Sequence, residues 1–196
     1  MSITAALSLL DSPPFRFLQK AGRPVTLADG RADLTGRLDF ILKQKLTPEE
    51  VAFAVTGEIT DMRSETLVKG RVLAASGLSV EADNEALAIA GEARIGRVPV
   101  AGTWTLPLGP DAGGASRVSG EIELSQRFLD EFGITLPEGS LTGGGRATVD
   151  IALARDAPAE FALTSDLMGV GLGIAPLDWA LSRQATGRLD VAGTLG

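Results

Sequence analysis

The chain has 196 residues, 44% of them hydrophobic and 22% charged, with a formal net charge of −7 and no Cys, His or Tyr. The acid excess disfavours nucleic acid, which wants a basic field, and leaves no large basic patch for anionic lipid heads. Without Cys or His there is no disulfide framework, no thiolate nucleophile, no Ser-His-Asp relay and no thiolate or imidazole metal ligand.

Residues 1–11, MSITAALSLLD, read as a lead-in: a short apolar run without the cationic start of a signal peptide. No stretch approaches the ~20 apolar residues of a membrane helix. PPFRFLQKAG predicts a short helix, with Pro13 and Pro14 at its start. Period-two patterning then takes over. In RADLTGRLDF, Ala32, Leu34, Gly36, Leu38 and Phe40 share one face, and Arg31, Asp33, Thr35, Arg37 and Asp39 the other. TPEEV predicts one further helical turn. The next strand turns Val51, Phe53, Val55, Gly57 and Ile59 to the apolar side. EADNEA reads as a turn, with Asp83 and Asn84 able to take a left-handed backbone. Leu87, Ile89, Gly91, Ala93 and Ile95 mark another strand. The segment from Ile95 to Val98 reads as a tight hairpin. Val98, Val100, Gly102, Trp104 and Leu106 follow, then a loop over GPDAGGAS, then Val118, Gly120, Ile122 and Leu124. SQRFLDEFG predicts a helix with Ser125 as N-cap and Gly133 as stop. Val149, Ile151 and Leu153, then Phe161, Leu163 and Leu167, then Leu189 and Val191 complete the apolar faces. Such alternation predicts antiparallel strands with one wet face.

Several segments recur in the same order, which predicts an internal repeat. FLQKAG (17–22) matches FLDEFG (128–133), GRADL (30–34) matches GRATV (145–149), and FAVTGEI (53–59) matches FALTSDL (161–167). SGLSV (76–80) matches TGRLDV (186–191) with one residue inserted. The implied organisation is a first unit over 12–122 and a second over 123–196, expected to form one continuous elongated sheet. GRLDVAGTLG reads as a strand broken off in mid-pattern, which predicts an excerpt of a longer protein with Met1 added at the cut. Gly36, Gly57, Gly91, Gly102, Gly120, Gly145 and Gly187 recur within the apolar faces. Gly weakens a strand and offers nothing to pack, so this recurrence predicts sharp sheet curvature. The expected fold is therefore mostly β: a repeated, curved antiparallel sheet forming an open groove, with short helices at the start of each unit.

No residue pattern here predicts catalysis. Glu49–Glu50 and Asp130–Glu131 are sequence neighbours, which do not face one another as an acid–base dyad does. TGGGRAT (142–148) resembles a phosphate loop but lacks the Lys-Ser/Thr and leads into a strand. Asp29, Asp33 and Asp39 lack calcium-loop spacing. Trp104 and Trp179 read as sheet anchors. The expectation is no enzyme, no cofactor and no metal. What remains is a continuous apolar face, either sealed against another sheet or open and filled by something apolar.

The order LSLLDSPPFRFLQKAG, ADGRADLTGRLDFILKQKLTPEEVAFAVTGEITDM, LSVEADNEALAIAGEARIGRVPVAGTW resembles the AsmA-like family of Gram-negative envelope proteins. Its YhdP-like branch is nearer and TamB more distant. The most specific part is Leu78-Ser79-Val80-Glu81-Ala82-Asp83-Asn84 leading to Leu87, Ile89, Gly91 and Trp104. The resemblance implies a bridge-like lipid transfer protein with repeated β-grooves, located in the periplasm. It implies an inner-membrane anchor outside this sequence, phospholipid acyl chains and neighbouring repeats as partners, and no catalytic residues. On that reading Leu34, Leu38, Phe40, Phe53, Val55, Ile59, Ile89, Val100, Trp104, Ile122, Val149, Ile151, Phe161, Leu163 and Leu189 line the groove. The rival expectation is a sealed β-sheet module that serves structure or interaction in envelope assembly.

Overall fold

The computed structural model describes residues 1–11, 24–43, 50–108, 113–154, 157–174 and 178–195. The helix expected over 13–22, most of the turn expected at 47–51 and part of the 109–116 loop lie outside them. Helix α1 (Ile3–Leu10) is followed by β1 (Asp29–Phe40), β2 (Val51–Val68), β3 (Arg71–Asp83), β4 (Ala86–Ile95), β5 (Val98–Pro107) and β6 (Ser116–Ser125). Helix α2 (Gln126–Phe132) precedes β7 (Leu141–Leu153), β8 (Ala159–Ser165), β9 (Val170–Ile174), β10 (Trp179–Leu181) and β11 (Leu189–Leu195). The strands form one antiparallel open sheet in the order β1-β2-β3-β4-β5-β6-β7-β8-β11. The β9–β10 hairpin branches from the start of β7.

The period-two reading sets which side each strand buries. In β2, Val51, Phe53, Val55, Gly57 and Ile59 are half-buried, and Ala52, Ala54, Thr56 and Glu58 between them are exposed. After Ile59 the phase slips, and Met62 and Ser64 become the buried positions. Asp61 absorbs the slip with φ 52, a left-handed backbone that Asp tolerates better than most residues. β3 carries a matching irregularity between Ala74 and Gly77, so the β2–β3 pairing stays in step across the bulge.

Turns follow local chemistry. Gly96 takes φ 56 as the first of the two residues joining β4 to β5, a conformation that a II′ hairpin requires. At the β3–β4 turn neither Asp83 nor Asn84 becomes left-handed. Asp83 Oδ1 instead accepts the N–H groups of Glu85 and Ala86 at 2.8 and 3.0 Å. Asn84 donates Nδ2 to the Val51 carbonyl at 2.7 Å and accepts the Phe53 N–H at 2.9 Å, tying the turn to β2. α2 runs as expected from Ser125 to Gly133, which closes it with φ 67. Leu167, expected inside β8, lies beyond its end with φ 58 and is buried at the turn toward β9. Gly187, expected within a strand, sits just before β11.

Two trios of strands can be compared through their pairing. Leu34 faces Gly57 and Gly57 faces Val80 across β1, β2 and β3. Val149 faces Leu163 and Leu163 faces Val191 across β7, β8 and β11. Since Leu34 matches Val149 and Val80 matches Val191 in sequence, Leu163 stands where Gly57 does. FALTSDL therefore sits two residues out of step with FAVTGEI. A two-residue slip keeps every side chain on its face.

Both helices cover the same rim. The start of β1, the end of β2 and their counterparts through β11 alternate along it. One cluster gathers Ile3, Ala32, Met62 and Ala75 beneath α1. The other gathers Val98, Ile122, Leu124, Leu129, Ala147, Leu163 and Val170, with Phe128 and Phe132 of α2 against it. α2 is also held from β3: Arg71 donates through Nε and Nη2 to the Glu131 carbonyl at 2.9 and 2.7 Å, and its guanidinium lies 4.8 Å from the Phe132 ring centre. A cation at the C-terminal carbonyls of a helix is favourably placed against the helix dipole.

Candidate functional site

The apolar face divides lengthwise. A middle row runs Ala32, Ile59, Leu78, Gly91, Gly102, Gly120, Val149, Leu163 and Val191, each residue paired with the next. On the helix side of this row lie the two packed clusters. On the other side the next row runs Leu34, Gly57, Val80, Ile89, Trp104, Val118, Ile151, Phe161 and Gly193. No residue of that second row belongs to either cluster. At ~4.8 Å per strand it extends roughly 38 Å across nine strands. Beyond it stand Val55, Leu87 and Leu106, then Leu38 opposite Phe53.

The fifteen expected lining residues separate along this division. Ile59, Val100, Ile122, Val149, Leu163 and Leu189 pack into the helix-covered clusters. Leu34, Leu38, Phe40, Phe53, Val55, Ile89, Trp104, Ile151 and Phe161 occupy the half outside them. Exposure rises along β1 away from the helix-covered rim, from 38% at Leu34 to 66% at Leu38, while Val80 in the second row is buried. The accessible surface of the whole chain is 13053 Å², against roughly 8,800 Å² for a compact monomer of this mass.

The glycines hold the curvature at the boundary between the halves. Gly91, Gly102 and Gly120 stand side by side on β4, β5 and β6. A Cβ on Gly102 would lie 2.5 Å from the Ser119 carbonyl oxygen, and one on Gly120 2.1 Å from that of Ala101. A side chain on a flat strand points clear of the neighbouring backbone. Here the neighbouring backbone folds over the same face, so the sheet bends around its apolar side. A Cβ on Gly57 would run into the Asp33 carbonyl oxygen in the same way. At Gly145 the obstacle is Met168 O at 2.5 Å, where the chain crosses toward β9. This close crossing accounts for Gly145 and for Gly143, which meets the Gly169 carbonyl, whereas Gly144 between them has only ordinary contacts at 3.7 Å. At Gly187 the obstacles are side chains, Leu167 Cδ1 at 3.0 Å and Leu181 Cδ2 at 3.3 Å. Gly36 has no such constraint, its nearest neighbour being Val55 Cγ2 at 3.5 Å.

The opposite face is wet and charged. Arg117 bridges β6 to Asp150 on β7 at 2.7 Å, and Arg146 reaches Glu121 at 3.1 Å. Of the adjacent acids, Glu50, Asp130 and Glu131 lie among the described residues and have local contacts. Gln126 donates to Asp130, and Glu131 accepts the Arg97 N–H at 3.2 Å and pairs with Arg71. Lys43 pairs with Glu50. Comparison with protein-family models, curated proteins and solved structures finds no match. The site therefore rests on its own geometry. Among the described residues no helix is long and apolar enough to cross a membrane.

One carboxylate at the helix-covered rim is tuned. Glu123 accepts the Ser125 hydroxyl at 2.5 Å, which holds its carboxyl below the ordinary range, and the Arg127 guanidinium at 2.9 Å assists. The same hydroxyl is thereby unavailable to the free N–H groups of α2, and Ser125 makes no side-chain cap. The stabilisation is fully present above the ordinary Glu value and is lost as pH falls through the lowered folded value. Ser125→Ala is expected to raise the Glu123 titration midpoint toward that ordinary value. A carboxyl-carbon NMR titration reads this directly, and an unmoved midpoint would remove the hydroxyl as the main cause.

Proposed function

We propose that this chain is a segment of a periplasmic, AsmA-like protein whose curved apolar sheet holds phospholipid acyl chains and conducts them between inner and outer membrane. The observation that carries the reading is the second row from Leu34 to Phe161, apolar apart from Gly57, outside both packed clusters and, save for buried Val80, only half-buried or exposed. A face of this kind exposed to water is a liability unless something apolar fills it. Acyl chains lying across the strands against Trp104, Ile89 and Phe161 would be held by area, at roughly 25 cal/mol per Å² buried. Head groups would project past the open rim into water. A nearly uniform wall keeps any single position from trapping the chain, and no chemical step is required. The coincident pairing of β1-β2-β3 and β7-β8-β11 supports two successive units of one wall, the first within 12–122 and the second from 123.

The rival reading, a sealed structural module, draws on the helix-covered half, which is packed as an ordinary core. Native mass spectrometry of the purified chain with lipid extraction separates the two. Co-purifying phospholipid that is lost in Val55→Asp, with the circular dichroism unchanged, is the expected outcome. A lipid-free chain that also refuses added fluorescent phospholipid would sink the conduit reading in favour of the module.

A further inference from the structure

We propose that α2 is a hinged cover, latched by Arg71, that lifts from the sheet to admit an acyl chain beneath it. The occupant rests on the lipid reading above, whereas the hinge does not. The apolar alternation is unchanged where the helix-covered half begins. β5 continues from Trp104 and Gly102 to Val100 and Val98, and β6 from Val118 and Gly120 to Ile122 and Leu124. β7 continues from Ile151 and Val149 to Ala147. α2 lies against these three strands and brings Phe128, Leu129 and Phe132 to the cluster that holds Val98, Ile122 and Leu124. The rings of Phe128 and Phe132, 4.8 Å apart, form much of its underside.

The attachments of α2 are unequal. At its N-terminal end they are local to β6. Arg127 pairs with Glu123, and Ser125 spends its hydroxyl on the same carboxylate instead of capping the helix. At the other end Gly133, in a left-handed backbone, closes the helix and re-aims the chain. Element-terminal positions of this kind absorb the backbone change when a packed element swings. Among the described residues, the polar ties from α2 to β3 and to the β4–β5 turn all meet at Glu131. Arg71 donates twice to its carbonyl, stands 3.7 Å from its carboxylate and lies against Phe132. The Arg97 N–H donates to that carboxylate, which lies so close over Gly96 that a Cβ there would collide with it. The Arg71–Glu131 pair is the most shielded ion pair among the described residues, with side chains 27% and 18% exposed, so salt screens it little. One side chain therefore holds the free end of the cover. With that end released, a chain lying on Val118 and Trp104 reaches Val100 and Ile122, and the apolar side of α2 rests on the chain instead of the sheet. Neither state leaves that side bare to water, and an acyl chain that fits only the open state shifts the population toward it.

Hydrogen exchange of the whole chain, read by mass spectrometry over α2, β4 and β8, tests this. A helix this short unravels once it leaves the sheet, so its amides report the opening. Arg71→Ala is expected to speed exchange in α2 by about tenfold and to leave β4 and β8 unchanged. Arg97→Ala is the control. It removes a neighbouring positive charge but keeps the backbone N–H that Glu131 accepts, so α2 should exchange as in the parent chain. Palmitate serves as the acyl probe. Arg71→Ala should bind it about tenfold more tightly, since apparent affinity follows the fraction of chains that are open, and Arg97→Ala should bind it as the parent does. Exchange in α2 that ignores Arg71→Ala, or that rises equally in β4 and β8, overturns the hinge. Faster exchange in α2 with palmitate bound equally by all three chains overturns admission beneath it. Faster exchange with no palmitate bound by any form supports the hinge and overturns the lipid reading instead.

Discussion

Valine at Gly120 is expected to lower the unfolding free energy by about 3 kcal/mol or more, measured by urea denaturation followed through tryptophan fluorescence. The new Cβ would stand 2.1 Å from the Ala101 carbonyl oxygen and 2.5 Å from Gly102 Cα, both backbone atoms that cannot rotate aside. Relief requires β5 and β6 to separate or the sheet to flatten, and flattening pulls the paired rows of both halves out of contact. Gly36→Ala is the matched control. Its Cβ would meet Val55 Cγ2 and the Ala54 carbonyl oxygen at ordinary distances, and the unfolded chain loses freedom, so stability should hold or rise by roughly 0.5 kcal/mol. Equal losses at the two sites would show that glycine matters here through strand entropy, and the bending argument would fall.

Aspartate at Leu163 should cost about 4 kcal/mol, the scale of an uncompensated charge in a packed interior. Leu163 is 8% exposed and sits in the cluster beneath α2. Val55→Asp removes a half-buried methyl pair from the uncovered half and should cost about 1 kcal/mol. Thermal melts of the two variants compare the halves directly. A Val55→Asp variant as unstable as Leu163→Asp would mean that both halves are sealed.

The strands were legible because their physics is local. Alternation in VAFAVTGEI or RVPVAGTWTL needs only the pleat and one wet face. Gly96 marked its hairpin for the same reason, and Ser125 and Gly133 bracketed α2. What escaped depends on partners distant in sequence. The slip at Asp61 is shared by β2 and β3, and neither strand alone announces it. Residues 53–59 and 161–167 match position by position in residue character, but cross-strand packing places them two residues apart. The glycines resembled one another in sequence, yet the approaching backbone differs at each, and at Gly36 it is missing. The lining residues separated for a related reason. Leu163 and Phe161 belong to the same apolar alternation, and only the docking of a helix at one rim decides which of them is packed. α1 is the clearest miss. ITAALSLL looked like a featureless lead-in, but Ser2 Oγ accepts the Ala5 N–H at 3.1 Å and caps it, and Ile3 then packs against the sheet.

From β1 to β8 each strand pairs with the one made just before it, so the sheet assembles from contacts that are close along the chain. Hairpins of this kind close quickly, because little loop entropy opposes them. Folding can begin at several joints and spread outward strand by strand, as in linear arrays whose units contact only their neighbours. A chain emerging from the ribosome would settle progressively from its first strands, with no need to wait for a distant segment to complete the interior. The same topology allows an array of this kind to lengthen or shorten by whole hairpins in evolution without unmaking what is already folded.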